Sequence, residues 1–218
     1  LTITSFIMAA LLALFLILQF RKRRYVPWVY WTVVVLLSVV GTLITDNLTD
    51  NLGVSLYVST AVFAVALIGT FLAWYSSEHT LSIHDITTTR REGFYWLAIL
   101  FTFALGTAAG DLISEKVNLG YTVATILFAS GIAMIAIAYF ALGLNAVLAF
   151  WLAYILTRPL GASIGDLLTQ APKDGGLGLG TYPVNAVFLI VIVSLVAYLT
   201  MNPKVDRIGA TNHRLAGA

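Results

Sequence analysis

Three acids recur at one position of a repeated pattern. Asp46, Asp111 and Asp166 each stand fifteen residues after a tryptophan (Trp31, Trp96, Trp151) and five after a glycine (Gly41, Gly106, Gly161). Asp50 and Glu115 follow four residues after the first two acids, one helical turn on, and Thr107 and Ser163 place hydroxyl oxygens shortly before the second and third. Carboxylates in apolar segments are costly and usually face a bundle interior or a water-filled cavity. Gathered about one axis, they repel unless they share protons or cations. Oxygen-only donors of this kind suit hard cations such as Mg²⁺ or Mn²⁺. Arg158 stands seven residues after Trp151, where the other two repeats carry Ser38 and Phe103, and is followed by Pro159. A guanidinium at that depth needs a partner, and beside a proline-broken helix it reads as a counter-charge that a cation or proton displaces. A buried structural pair, or an Arg snorkelling to the surface, is the plain alternative.

These residues need elements to carry them. The chain has 218 residues, 60% of them apolar, with 12 basic and 10 acidic side chains. A soluble domain averages about 25% charged residues, so this chain cannot cover a water-facing surface. A net charge of +2 leaves no basic face for nucleic acid, and the absence of Cys excludes disulfides, thiolate metal sites and a cysteine nucleophile. Crossing a roughly 30 Å hydrocarbon core takes about 20 mostly apolar residues. Such stretches run approximately Thr2–Phe20, Val29–Ile44, Val54–Tyr75, Phe94–Ile113, Tyr121–Leu142, Ala146–Leu168 and Val184–Met201. They are apolar all round rather than alternating, which selects helices over barrel strands. The fold class is therefore an all-α, polytopic transmembrane helix bundle with seven visible spans in one domain, 1–218.

Loop charges orient the bundle. Nine Lys and Arg residues collect on one side (Arg21, Lys22, Arg23, Arg24, Arg90, Arg91, Lys204, Arg207, Arg214) and two on the other (Lys116, Lys173). This predicts a cytoplasmic C-terminus in a bacterial inner membrane and an outside start at Leu1. Each motif helix precedes a plain apolar helix, giving parallel two-helix repeats at 27–75, 94–142 and 146–201, followed by a tail, 202–218. Residues 1–20 read as a second helix without its motif helix. An upstream motif helix is expected, making four repeats and eight spans. A Leu-Gly pair closes each motif segment (Leu52-Gly53, Leu119-Gly120, Leu179-Gly180).

Tandem two-helix units that start on Trp and lead through Gly-Thr or Gly-Ser to Asp resemble the bacterial "uncharacterized membrane-anchored protein" family, built from four such repeats of unknown function. The resemblance spans nearly the whole chain and departs from the family in the missing first motif helix. It implies the architecture and no particular chemistry.

The repeat suggests further roles. Trp31, Trp96 and Trp151 are expected as interface anchors at the cytoplasmic face. The small residues Gly41, Gly106, Gly110, Gly161 and Gly165 are expected at close helix crossings. Thr60, Thr125 and Asn185 read as interhelical hydrogen-bonding residues that could join a cation path. The polar loop 76–93 holds Glu78, His79, His84 and Asp85 at no recognised metal spacing, and the Gly-rich stretch 173–180 lacks a phosphate-loop ending. No enzyme activity and no cofactor are expected, the metal is left undefined, and a retinal pocket fails for want of a Lys in the last span. The expected function is a transporter or permeation protein for a small cation, divalent or proton-coupled. Asp46, Asp111 and Asp166 form its ring, Asp50 and Glu115 an outer funnel and Arg158 the gate. The alternative is a structural or accessory membrane protein. The partners are the bilayer and a small cation, with a homo-oligomer left open.

Overall fold

In a computed structural model, residues 3–22, 25–117 and 119–202 are described. Among the described residues the long elements are seven α-helices: α1 (Ile3–Phe20), α2 (Pro27–Asp46), α3 (Leu56–Glu78), α4 (Thr89–Asp111), α5 (Gly120–Leu142), α6 (Ala146–Thr169) and α7 (Thr181–Met201). All seven are long and apolar enough to cross a membrane. Local chemistry sets their starts. Ser55 Oγ accepts the Val58 N–H, Thr88 Oγ1 that of Arg91, and Asn145 Oδ1 those of Val147 and Leu148, which satisfies amides that have no partner within the helix. Pro27 occupies the first turn of α2, where its missing N–H costs nothing. The Leu-Gly signature has a backbone cause: Gly53, Gly120 and Gly180 take φ of 66°, 75° and 84°, a region that a Cβ disfavours.

Two motif helices run further than their apolar pattern implies. The chain continues past Asp46 and past Asp111 as π-helical turns, Asn47–Asn51 and Leu112–Lys116, whereas α6 ends directly at Thr169. Widened turns of this kind are rare and concentrate at functional sites. α6 carries Pro159 inside it and continues as helix to Thr169.

The helices pack in the order the repeat dictates. α1 lies on α2, α3 on α4 and α5 on α6, so each plain helix packs against the motif helix of the following repeat. The motif helices pack in series, α2 on α4 and α4 on α6, and α7 touches α2 and α6. α4 is the central element, burying ten residues, while α7 buries only Val184. Large apolar side chains such as Phe6, Leu72, Phe140 and Ile190 point outward, as a lipid-facing surface requires.

The core is aromatic at the end where the motif helices begin. Trp74 is fully buried, Trp96 and Trp151 are each 4% exposed, and Trp151 packs edge-on to Phe71, Trp74 and Tyr154. The Trp151 indole N–H donates to the Leu81 carbonyl at 2.9 Å, and that of Trp96 to Glu92 at 3.3 Å. Trp31 is half-buried, with its indole nitrogen covered. The expected anchoring role is therefore corrected for Trp96 and Trp151. Trp96 and Trp151 help to hold the bundle together, their rings buried in its core, while Trp31 is only half-buried and Trp28 is 49% exposed. Trp96→Ala is expected to cost about 3–5 kcal/mol, read as a lowered unfolding temperature in detergent, while Trp28→Ala leaves that temperature nearly unchanged.

The loop between α3 and α4 is pinned electrostatically. Arg91 Nε donates to Glu78 Oε2 at 2.8 Å, Arg91 Nη1 donates to the Asp85 carbonyl at 2.8 Å, and Arg90 lies 3.6 Å from Glu78. Glu78 and Asp85 thus serve the loop. Among the described residues no group of three or more His, Asp or Glu is placed to ligate one metal ion.

Candidate functional site

The far ends of the motif helices border an open cavity of about 330 Å³ lined mostly by polar residues. Its walls follow the repeat. The residue eleven after each Trp lines it (Thr42, Thr107, Ala162), and so does the residue fifteen after (Asp46, Asp111, Asp166). Helical geometry explains the pairing, since residues four apart share a face. Arg158 and Gly165 of α6 also line it, and α7 closes the fourth side with Thr181, Val184, Asn185 and Phe188. At about 30 Å³ per water, the space holds roughly ten water molecules.

Arg158 is fastened at the inner wall. Its Nη2 donates to Thr42 Oγ1 at 2.5 Å and to Thr107 Oγ1 at 3.4 Å, and these two hydroxyls lie 3.3 Å apart. The guanidinium carbon stands 5.3 Å from the centre of the Phe103 ring, within cation–π range. Its Nε is buried without a hydrogen-bond partner. Thr42 and Thr107 therefore act as a bracket, one hydroxyl from each of two motif helices, that aims a cation from the third helix.

Close helix approach makes this geometry reachable. A Cβ on Gly106 would lie 2.3 Å from Arg158 Cγ and 2.6 Å from Arg158 Cβ, and one on Gly41 would lie 2.8 Å from Phe103 Cβ. The glycine of one motif helix thus seats the residue seven after the Trp of the next. Beside Gly41, Thr45 Oγ1 donates to the Ala104 carbonyl at 3.1 Å, a hydrogen bond across the crossing. Gly110 makes ordinary contact, 3.8 Å to Ala162 and Pro159. The packing roles expected of Gly161 and Gly165 are corrected. A Cβ at either position would meet nothing within 4 Å, because no described helix crosses α6 on that face, and Gly165 lines the cavity instead.

Of the residues singled out from sequence, the structure brings Asp46, Asp111, Asp166, Arg158 and Thr107 to one cavity. Gly165 and Asn185 line it too, whereas other residues singled out do not. Asp50 is exposed on the first π-helical turn and accepts from Thr49 Oγ1 at 3.3 Å. It does not line the cavity, but it stands near enough to Asp46 for the two carboxylates to repel. The side chain of Glu115 lies outside the described residues, as do Arg23, Arg24, Lys204, Arg207 and Arg214 of the charge count. Ser163 is buried away from the cavity, with no hydrogen-bond partner for its hydroxyl. Thr42 escaped notice although it shares the offset of Thr107 from its Trp, the one signal that could have found it. Asn185 lines the cavity, whereas Thr125 bonds within its own helix to the Tyr121 carbonyl.

A multi-pass membrane bundle of parallel two-helix repeats, with an acid-lined cavity between its motif helices, is the class of protein these features define. The family model described as Repeat of Unknown Function (DUF347) matches residues 29–80, 94–144 and 149–204. The chain belongs to that family, one copy of the repeat for each motif helix and the plain helix after it. No curated protein and no solved structure matches the chain significantly.

Proposed function

We propose that the protein is a membrane transporter or permeation protein for a small cation, with its C-terminus in the cytoplasm. The observation that carries this reading is the convergence of Asp46, Asp111 and Asp166, one from each repeat, on a single cavity that also holds Arg158. The arrangement refines the substrate chemistry. The carboxylates are not grouped tightly enough for three of them to ligate one bare ion, while the cavity has room for a water shell. The acids therefore hold a hydrated cation through its waters, at a cost in dehydration smaller than direct ligation demands. Arg158 supplies the positive charge when the substrate is absent.

Proteoliposomes loaded with an ion-sensitive dye test the proposal, using monovalent, divalent and small ammonium cations in turn. Flux above protein-free vesicles for at least one class is expected, and none for any class overturns the reading. Arg158→Gln removes the tethered competitor. It is expected to lower the half-saturating cation concentration by about tenfold, the effect of roughly 1.4 kcal/mol. An unchanged value would show that Arg158 does not compete with the substrate.

A structural role is the second reading, and the tight seat of Arg158 against Gly106 and Phe103 favours it. In that case Arg158 is a pin between helices, and its replacement lowers stability with no flux to alter.

A further inference from the structure

A larger cavity, of about 1080 Å³, opens at the opposite, basic end of the bundle, between the end of α1, the starts of α2 and α4, and residues 83–89. Its composition differs from that of the acidic cavity. Trp31, Tyr30, Tyr95 and Trp96 supply aromatic walls, Glu92 a single carboxylate, and Arg21 and Lys22 exposed cations. Glu92 is held in place: the side-chain nitrogen of the buried Gln19 donates to its Oε1 at 2.9 Å, and the Trp96 indole to the same oxygen at 3.3 Å. Both bonds fall on Oε1, so the second carboxylate oxygen is free to accept from a ligand. The Tyr30 and Tyr95 hydroxyls bond to each other across the cavity wall.

We infer that this cavity binds an amino-phosphate zwitterion, the headgroup of a phosphatidylethanolamine molecule from the surrounding bilayer. The primary ammonium donates to Glu92 Oε2 beside the aromatic faces, a setting that favours a cation. The phosphate meets Arg21 and Lys22, as headgroups do in basic pockets between membrane helices. Charge order selects this occupant. A carboxylate fixed by Gln19 and Trp96 together with exposed cations on the same cavity matches a ligand with separated opposite charges, and leaves the carboxylate without a partner when the ligand is purely anionic. The apolar spans on either side accommodate the acyl chains. The inference is independent of the transport reading, since it uses none of the residues of the acidic cavity.

Native mass spectrometry of the purified full chain in detergent tests it with phosphatidylethanolamine, phosphatidylcholine and phosphatidylglycerol of identical acyl chains. Phosphatidylethanolamine should be retained about tenfold better than either of the others, the effect of one charge-assisted hydrogen bond. Phosphatidylcholine has a cation but no ammonium N–H, and phosphatidylglycerol has neither. Glu92→Gln keeps the Oε1 acceptor for Gln19 and Trp96 and removes only the free anionic oxygen, so it should abolish the preference while the unfolding temperature holds. Should that variant fail to fold, Arg21→Ala with Lys22→Ala reads the phosphate side and should weaken all three lipids alike. Equal retention of the three lipids by the unaltered protein overturns the inference. So does free phosphoethanolamine displacing the lipid at equal concentration, which would mark a site for a soluble amino-phosphate.

Discussion

Replacing Asp46, Asp111 and Asp166 together by Asn is expected to reduce cation flux in proteoliposomes to the protein-free background while leaving the protein folded. At an effective dielectric of about 20 and separations of about 8 Å, each carboxylate contributes roughly 2 kcal/mol to holding a monovalent cation. A single Asn substitution should therefore weaken binding about thirtyfold, and the three effects compound. Asn has the shape of Asp without its charge. The helices lose no packing, but Arg158 loses the carboxylates that face it, so the triple variant is expected to stay folded with a lowered unfolding temperature. A triple variant that elutes like the parent yet carries undiminished flux would end the transport reading, and one that fails in both respects is separated from it by the single substitutions. The three singles should be of similar size, because the acids occupy one repeat position and line one cavity.

The second large effect concerns packing, where the repeat's own symmetry misleads. Gly106→Leu is expected to abolish folded protein and Gly161→Leu to leave it intact. A carbon contact settles at about 3.5–4.0 Å, so a Cβ on Gly106, 2.3 Å from Arg158 Cγ, forces α4 and α6 apart. Overpacking by a single methyl already costs about 1–3 kcal/mol, and Leu adds three more carbons. At Gly161 the added carbon meets open space, and Gly161→Ala should stabilise α6 by up to about 1 kcal/mol through helix propensity. The yield of monodisperse protein in mild detergent, with its unfolding temperature, separates the two. Equal losses at both positions would mean that α6 is crossed on the Gly161 face in the membrane.

The contrast between Gly106 and Gly161 also shows what a sequence pattern conveys. Both glycines stand ten residues after a Trp, and nothing local tells them apart. Their environments differ because α4 has a motif helix on each side and α6 has one on a single side. The tryptophans fail in the same way. A Trp at a helix start fits an interface belt or an aromatic core equally well, and at Trp151 the arrival of Phe71, Trp74 and Leu81 from elsewhere in the chain decides for the core. Asp50 marks a third limit: a register of four residues places it beside Asp46 but does not say that it reaches the cavity, and it stays exposed outside it.

What the chain's sequence determined by itself is everything that depends on local composition and period. The seven spans follow from apolar runs long enough for a bilayer, the three parallel units from a fixed spacing of Trp, Gly and Asp, and the closing glycines from a backbone turn that only they adopt easily. The equal depth of Asp46, Asp111 and Asp166 follows too, since helical rise converts residue number into height. Height alone does not say which way a side chain faces or what stands opposite. The tertiary structure decided that the acids share one cavity, that Thr42 and Thr107 bracket Arg158, that Asn185 of α7 completes the wall and that Ser163 does not reach it. Those outcomes depend on the rotation of each helix and on the partner that crosses it, set by close contacts between residues some fifty to more than a hundred positions apart.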